Sequence, residues 1–180
     1  MAGLVGSEMC IRDSSYIFGN RYGLDDTYKF AKGEPMLNMF GEQMQISRPL
    51  DFAAVTDHAE TFGLQESCAD PEITEESKIT CTRLESPSYR FFFDLRETSV
   101  ARPPVSIMSA AIGDKEKEKR FIKSTWDKVI KAADNHNEPG KFTTFIAYEY
   151  SPTLPDGGYN HRNVIFKNNW GFHELSFDDF

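Results

Sequence analysis

Phe52–Glu60 reads FAAVTDHAE, an apolar run that stops on residues able to bind a metal or move a proton. Leu50–Thr56 follows Pro49 and is short, apolar and bounded, so it suits a buried parallel strand better than a helix. Asp57, His58 and Glu60 then stand just past the strand's carboxyl end. Whether this is a site depends on what the rest of the chain brings beside them.

Two further strands and a long helix follow. Phe142–Tyr148, FTTFIAY, is rich in β-branched and aromatic residues and ends on Glu149, and Asn163–Phe166, NVIF, begins just after His161-Arg162. From about Asp114 the pattern is helical: Ile122, Trp126, Val129 and Ala133 recur at intervals of four, three and four, on one face. Lys and Glu crowd the opposite face, and Pro139-Gly140 ends the helix. Strand, helix, strand is the pattern of a parallel α/β sheet, whose sites lie at the carboxyl ends of the strands.

The remaining segments are plainer. Leu24–Lys32 predicts a helix with Asp25 or Asp26 near its start and Gly33 as its stop. Pro35 to Arg48 predicts a loop or short hairpin turning at Phe40-Gly41. Residues 63–104 show no sustained period and read as an irregular insertion, with a small helix around Tyr89–Leu95. That insertion holds Cys68 and Cys81 in polar, acidic text, which predicts a disulfide, with two unrelated thiols as the alternative. A bridge implies an oxidising compartment, as for an exported periplasmic or extracellular protein.

At 180 residues the chain bounds one domain or a piece of a larger one, and its net charge of −8 argues against nucleic-acid or anionic-membrane partners. No apolar run is long enough to span a bilayer. Residues 1–14, MAGLVGSEMCIRDS, lack the parts of a signal peptide and resemble translated adapter sequence, so they read as a foreign or disordered leader. ELSFDDF at the other end lacks a closing element, so 15–180 reads as the N-terminal part of a domain truncated at its C-terminus.

His58 is the sharpest candidate, because imidazole is the commonest metal ligand and the adjacent Asp57 carboxylate can orient it. A capping or solvated Asp-His pair is the plain alternative. Glu149 ends an otherwise apolar strand, where burial without a partner would be costly. His161 adds a second imidazole a short loop away, and Arg162 beside it could hold an anionic substrate. His136, at the exposed end of the long helix, and His173 are given no chemistry. No Gly-x-Ser-x-Gly elbow, Walker loop or Rossmann fingerprint is present, so no side chain is assigned as a nucleophile.

SYIFGNRYGLDDTYKFAKGE (15–34), SRPLDFAAVTDHAETFG (47–63) and KFTTFIAYEYSP (141–152) followed by NHRNVIF (160–166) together resemble the bacterial family catalogued as domain of unknown function 3604. That family is placed with the PHP (polymerase and histidinol phosphatase) metal-dependent hydrolases. The resemblance implies a distorted (β/α)7 barrel, incomplete here, with up to three divalent metals (Zn, Mn or Fe). It makes His58 of Thr56-Asp57-His58 a ligand, Glu149 the bridging carboxylate and His161 the following imidazole. Two expected motifs are missing. The His-x-His pair should precede SYIFGN, where the chain has EMCIRDS, with a carboxylate near Ser14 (Asp13 is close by). A late Asp-x-His motif would lie beyond Phe180.

The expected fold is therefore α/β, an incomplete PHP-like barrel of parallel strands with an irregular, disulfide-containing insertion. The expected function is part of a metal-dependent hydrolase acting on a small-molecule phosphoester, the chain alone being inactive. An alternative is a non-catalytic α/β binding module or inactive remnant. Metal-assisted hydrolysis of an amide or ester is a third possibility.

Overall fold

A computed structural model describes residues 3–6, 21–38, 40–86, 88–91, 93–94, 114–151 and 161–167. Its centre is β4 (Phe52–Val55), flanked in parallel by β1 (Gly3–Gly6) and β5 (Thr143–Phe145) in the order β1-β4-β5. Ala53 and Val55 join the main core, while Ala54 is buried outside that cluster. Burial on both faces is what the short apolar run required. Gly3–Gly6 lies inside the segment set apart as foreign or disordered, yet it pairs along the whole of β4. Asp13, Ser14, His173 and the insertion's 95–104 lie outside the described residues.

α1 (Leu24–Ala31) forms where expected. Asp26 Oδ2 accepts from the Gly23 N–H at 3.0 Å, and Leu24, Tyr28 and Ala31 turn a buried stripe to the core. Gly33, at φ 90°, closes it in the left-handed conformation that favours glycine. The hairpin of β2 (Met36–Leu37) and β3 (Gln43–Met44) turns at Gly41 and leads to the amino end of β4, away from Asp57 and His58.

The described part of the insertion (63–86, 88–91 and 93–94) is not irregular. After a 3₁₀ turn (Ala59–Thr61) it folds as α2 (Leu64–Cys68) and α3 (Glu75–Glu85), and residues 89–91 and 93–94 are helical, as expected near Tyr89. A disulfide joins Cys68 to Cys81, with their Cα atoms 5.5 Å apart. Periodicity missed α3 because its described side chains bury only Ser77 and Leu84. A cap, with Thr74 Oγ1 accepting from Ser77 N, and a covalent tie do the work of an apolar stripe there.

α4 (Lys115–His136) starts at Asp114, whose carboxylate accepts from the Glu116 and Lys117 N–H groups. Ile122, Trp126, Val129 and Ala133 are all buried, as their spacing predicts. Trp126 stacks on Phe62 and meets Tyr148 and Phe166 edge-on, with ring centroids 5.7 to 6.1 Å apart. Among the described residues no helix is long and apolar enough to cross a membrane.

Two strand expectations fail. FTTFIAY is not one strand: it breaks at Ile146 into β5 and β6 (Ala147–Tyr150). At the break Ile146 O accepts from Phe166 N at 2.9 Å. The strand over 163–166 is β7 (Arg162–Ile165), and it runs antiparallel to β6 instead of extending a parallel sheet. The described elements thus form a three-stranded parallel sheet and two antiparallel pairs, with no closed barrel among them.

Candidate metal centre

Two strand registers build the site. The β4–β5 ladder sets Phe52 against Thr143, an offset of 91 residues, and the same offset sets His58 against Glu149 in an isolated parallel bridge. The pairing therefore keeps its register across the break at Ile146, and Glu149 N donates to Asp57 O at 2.8 Å. The β6–β7 ladder sets Glu149 against Asn163 and Tyr150 against Arg162, so one step further Ser151 stands against His161. Side chains alternate along a strand, which puts Glu149, Ser151 and His161 on one face.

The side chains meet as the registers require. His58 Nε2 lies 3.7 Å and His161 Nδ1 2.5 Å from Glu149 Oε1. Ser151 Oγ donates to Glu149 Oε1 at 2.8 Å and lies 2.9 Å from His161 Nδ1. The two imidazoles approach edge-on, with centroids 5.6 Å apart. Glu149 is fully buried, while the His161 side chain is 54% exposed, so the cluster opens to solvent on the His161 side.

This donor set fits a divalent cation. One ligand atom from each of His58, Glu149 and His161 lies within 4.8 Å of the others. Donors about 2.1 Å from a tetrahedral zinc stand about 3.4 Å apart. The His58–Glu149 separation of 3.7 Å is near that, whereas the 2.5 Å of His161 Nδ1 to Oε1 is a hydrogen bond. Two imidazoles and a carboxylate suit Zn, Mn or Fe.

The surrounding turn is tied from two sides. Thr61 donates twice to His58 O, from its N–H at 3.1 Å and its hydroxyl at 2.8 Å. Gly63 N then donates to the buried Thr125 Oγ1 of α4 at 2.9 Å. Asp57, 1% exposed, links to Glu149 through its backbone carbonyl. Strand alternation turns its side chain to the Tyr28 side. Burial pushes the Tyr28 phenol far above its ordinary range; a hydrogen bond with the Val55 backbone opposes this, and the Asp57 charge adds to it.

Arg162 is exposed and stands against Tyr150, so alternation turns it from the face that carries Glu149. Glu60 lies in the 3₁₀ turn. His136 is only 13% exposed: it pairs with Asp25 at 2.9 Å and stacks on Tyr28, a structural tie between α4 and α1. Ser151, Thr61 and Thr125 were missed by sequence reasoning. Only Ser151 left a signal, two residues past Glu149 on the same strand face.

Residues 12–177 match the sequence profile of a family described as protein of unknown function (DUF3604). No curated protein and no solved structure matches the chain.

Proposed function

The chain belongs to the DUF3604 family, and on that footing we propose that it carries part of the metal centre of a PHP-type metal-dependent hydrolase acting on small-molecule phosphoesters. The observation that carries this reading is the shared register that sets His58 against Glu149, with His161 in reach of both. The parallel β4–β5 pair, with the cluster at its carboxyl end, supports the barrel architecture.

A divalent cation held there would supply Lewis acidity, lowering the pKa of water and offsetting charge that grows on phosphoryl oxygens. The chain's own residues do the holding. His58 and His161 offer imidazole lone pairs, and Glu149 offers negative charge where burial leaves little solvent to screen it. Thr61 fixes the His58 backbone, and Ser151 fixes the Glu149 carboxylate. Arg162 is left without a role because of the face it occupies. The Cys68–Cys81 bridge supports an exported parent protein.

One observation favours a second reading, a metal-free binding module. Glu149 Oε1 already accepts from Ser151 and sits 2.5 Å from His161 Nδ1, so its charge is partnered without an ion. Metal content after dialysis separates the two, measured on the wild type, His58→Ala and Glu149→Ala. We expect near-stoichiometric Zn or Mn in the wild type and loss in both variants. Metal-free, equally folded proteins in all three cases would discard the metal reading in favour of the module.

A further inference from the structure

Two parts of the described insertion are held by different forces. α2 and its flanks are tied to α4: Gly63 N donates to Thr125 Oγ1 at 2.9 Å, Phe62 stacks on Trp126, and Leu64 is buried. Lys128 pairs with Glu66 at 2.6 Å, and Lys117 pairs with Asp70 at 3.5 Å and Glu72 at 2.9 Å. α3 has little of this. Its described side chains bury only Ser77 and Leu84, and Ile79 is 64% exposed.

Most of what holds α3 is its own. Thr74 caps it, Lys78 pairs with Glu75, and Thr82 Oγ1 donates to Lys78 O at 2.8 Å. Among the described residues outside the helix, Arg21 donates to Glu85 O at 3.0 Å, and Arg83 pairs with Asp94 and lies over the Phe91 ring. Ion pairs as exposed as these hold weakly. A helix of 11 residues is also below the length at which an isolated helix is stable in water. The covalent bond from Cys81 to Cys68 is therefore the strong tie between α3 and the rest. Both cysteines are partly exposed, so a small dithiol can reach the bridge.

We propose that the Cys68–Cys81 bridge is a redox switch acting on α3. Oxidised, it holds α3 folded against α2; reduced, α3 unravels while α2 and the His58 turn keep their places on α4. The chemistry is exchange with a dithiol. The Cys68 Sγ–Cys81 Sγ bond breaks, the dithiol is oxidised to a disulfide, and its two protons pass to the cysteine sulfurs. The switch is independent of the metal reading, because the turn that carries His58 is not the part that moves. Local opening of one unit while the rest stays closed is a common property of folded chains.

Hydrogen–deuterium exchange read by peptide mass spectrometry, with and without dithiothreitol, tests this. Reduction should speed exchange in 75–85 by about 100-fold, the loop-closure contribution of the bridge. Residues 52–58 and 122–133 should keep their protection. The double variant Cys68→Ser, Cys81→Ser should match the reduced wild type, and trypsin should cut both after Lys78 and Arg83 sooner than the oxidised protein. Unchanged protection of α3 after complete reduction, confirmed by mass, overturns the proposal. Loss of protection in α4 and β4 together with α3 overturns it too, because the bridge would then be a staple of the whole fold.

Discussion

Gly63 follows the His58 turn at the point where it meets α4, and replacing it with alanine should be unusually costly. Its φ is 85°, and an added Cβ would lie 2.8 Å from the Phe121 carbonyl carbon and Cβ and 2.9 Å from Ile122 N. The conformational term is about 1–2 kcal/mol for a residue with a Cβ. The clash adds about 1–3 kcal/mol, because backbone atoms in mid-helix cannot swing aside as a side-chain tip could. A stiffer unfolded chain returns about 0.4–1 kcal/mol. Gly140 is the control: its φ is 81°, but nothing lies within 4 Å of an added Cβ. Gly63→Ala should therefore be less stable than Gly140→Ala by the clash alone, about 1–3 kcal/mol. At about 2–4 °C per kcal/mol for a chain of this size, that is several degrees in Tm by calorimetry. Equal melting of the two variants would refute the close approach of this turn to α4.

Three further outcomes are expected. Reducing the bridge, or changing both Cys68 and Cys81 to serine, should cost about 3 kcal/mol in denaturant unfolding, because it frees a loop of sequence separation 13. Lys32 lies 2.5 Å from Glu138 and, through that hydrogen bond first and its charge second, holds the carboxyl below its usual range. A depressed acid favours the fold above its unfolded pKa and loses that contribution as pH falls through the folded value. Lys32→Met should thus raise the Glu138 midpoint in an NMR titration and flatten the acid limb of stability against pH. Under the metal reading, Zn²⁺ at 100 times its Kd should stabilise the wild type by about 2.7 kcal/mol. That gain should vanish in His58→Ala; an equal gain in the variant would place the zinc elsewhere.

What could be read from the sequence follows from which signals are local. The stripe of Ile122, Trp126, Val129 and Ala133 is written in spacing, and each residue is buried. β4 is written in its bounded apolar run. Direction is not: NVIF has the same composition in a parallel or an antiparallel ladder, and β7 takes the antiparallel one. Nor is the break at Ile146, where the carbonyl bonds a residue twenty positions away, Phe166. α3 left no stripe because a cap and a disulfide hold it. In the site, His58, Glu149 and His161 could be named by residue type and strand end, and the structure brings them together. Ser151 could not be named that way, since a serine after a strand has many ordinary uses.

The position of Glu149 bears on how this site relates to folding. Stripping a carboxylate of water costs several kcal/mol after relaxation. Hydrogen bonds to a charged group return about 1.5–3 kcal/mol each, and Glu149 Oε1 has two such partners in Ser151 and His161. Those two effects are of similar size. The offset that sets His58 against Glu149 is fixed by the β4–β5 ladder, remote from the ligands. A zinc finger needs its metal to fold. Under the metal reading, by contrast, the β4–β5 register already sets His58 against Glu149, so a cation would meet these two donors side by side.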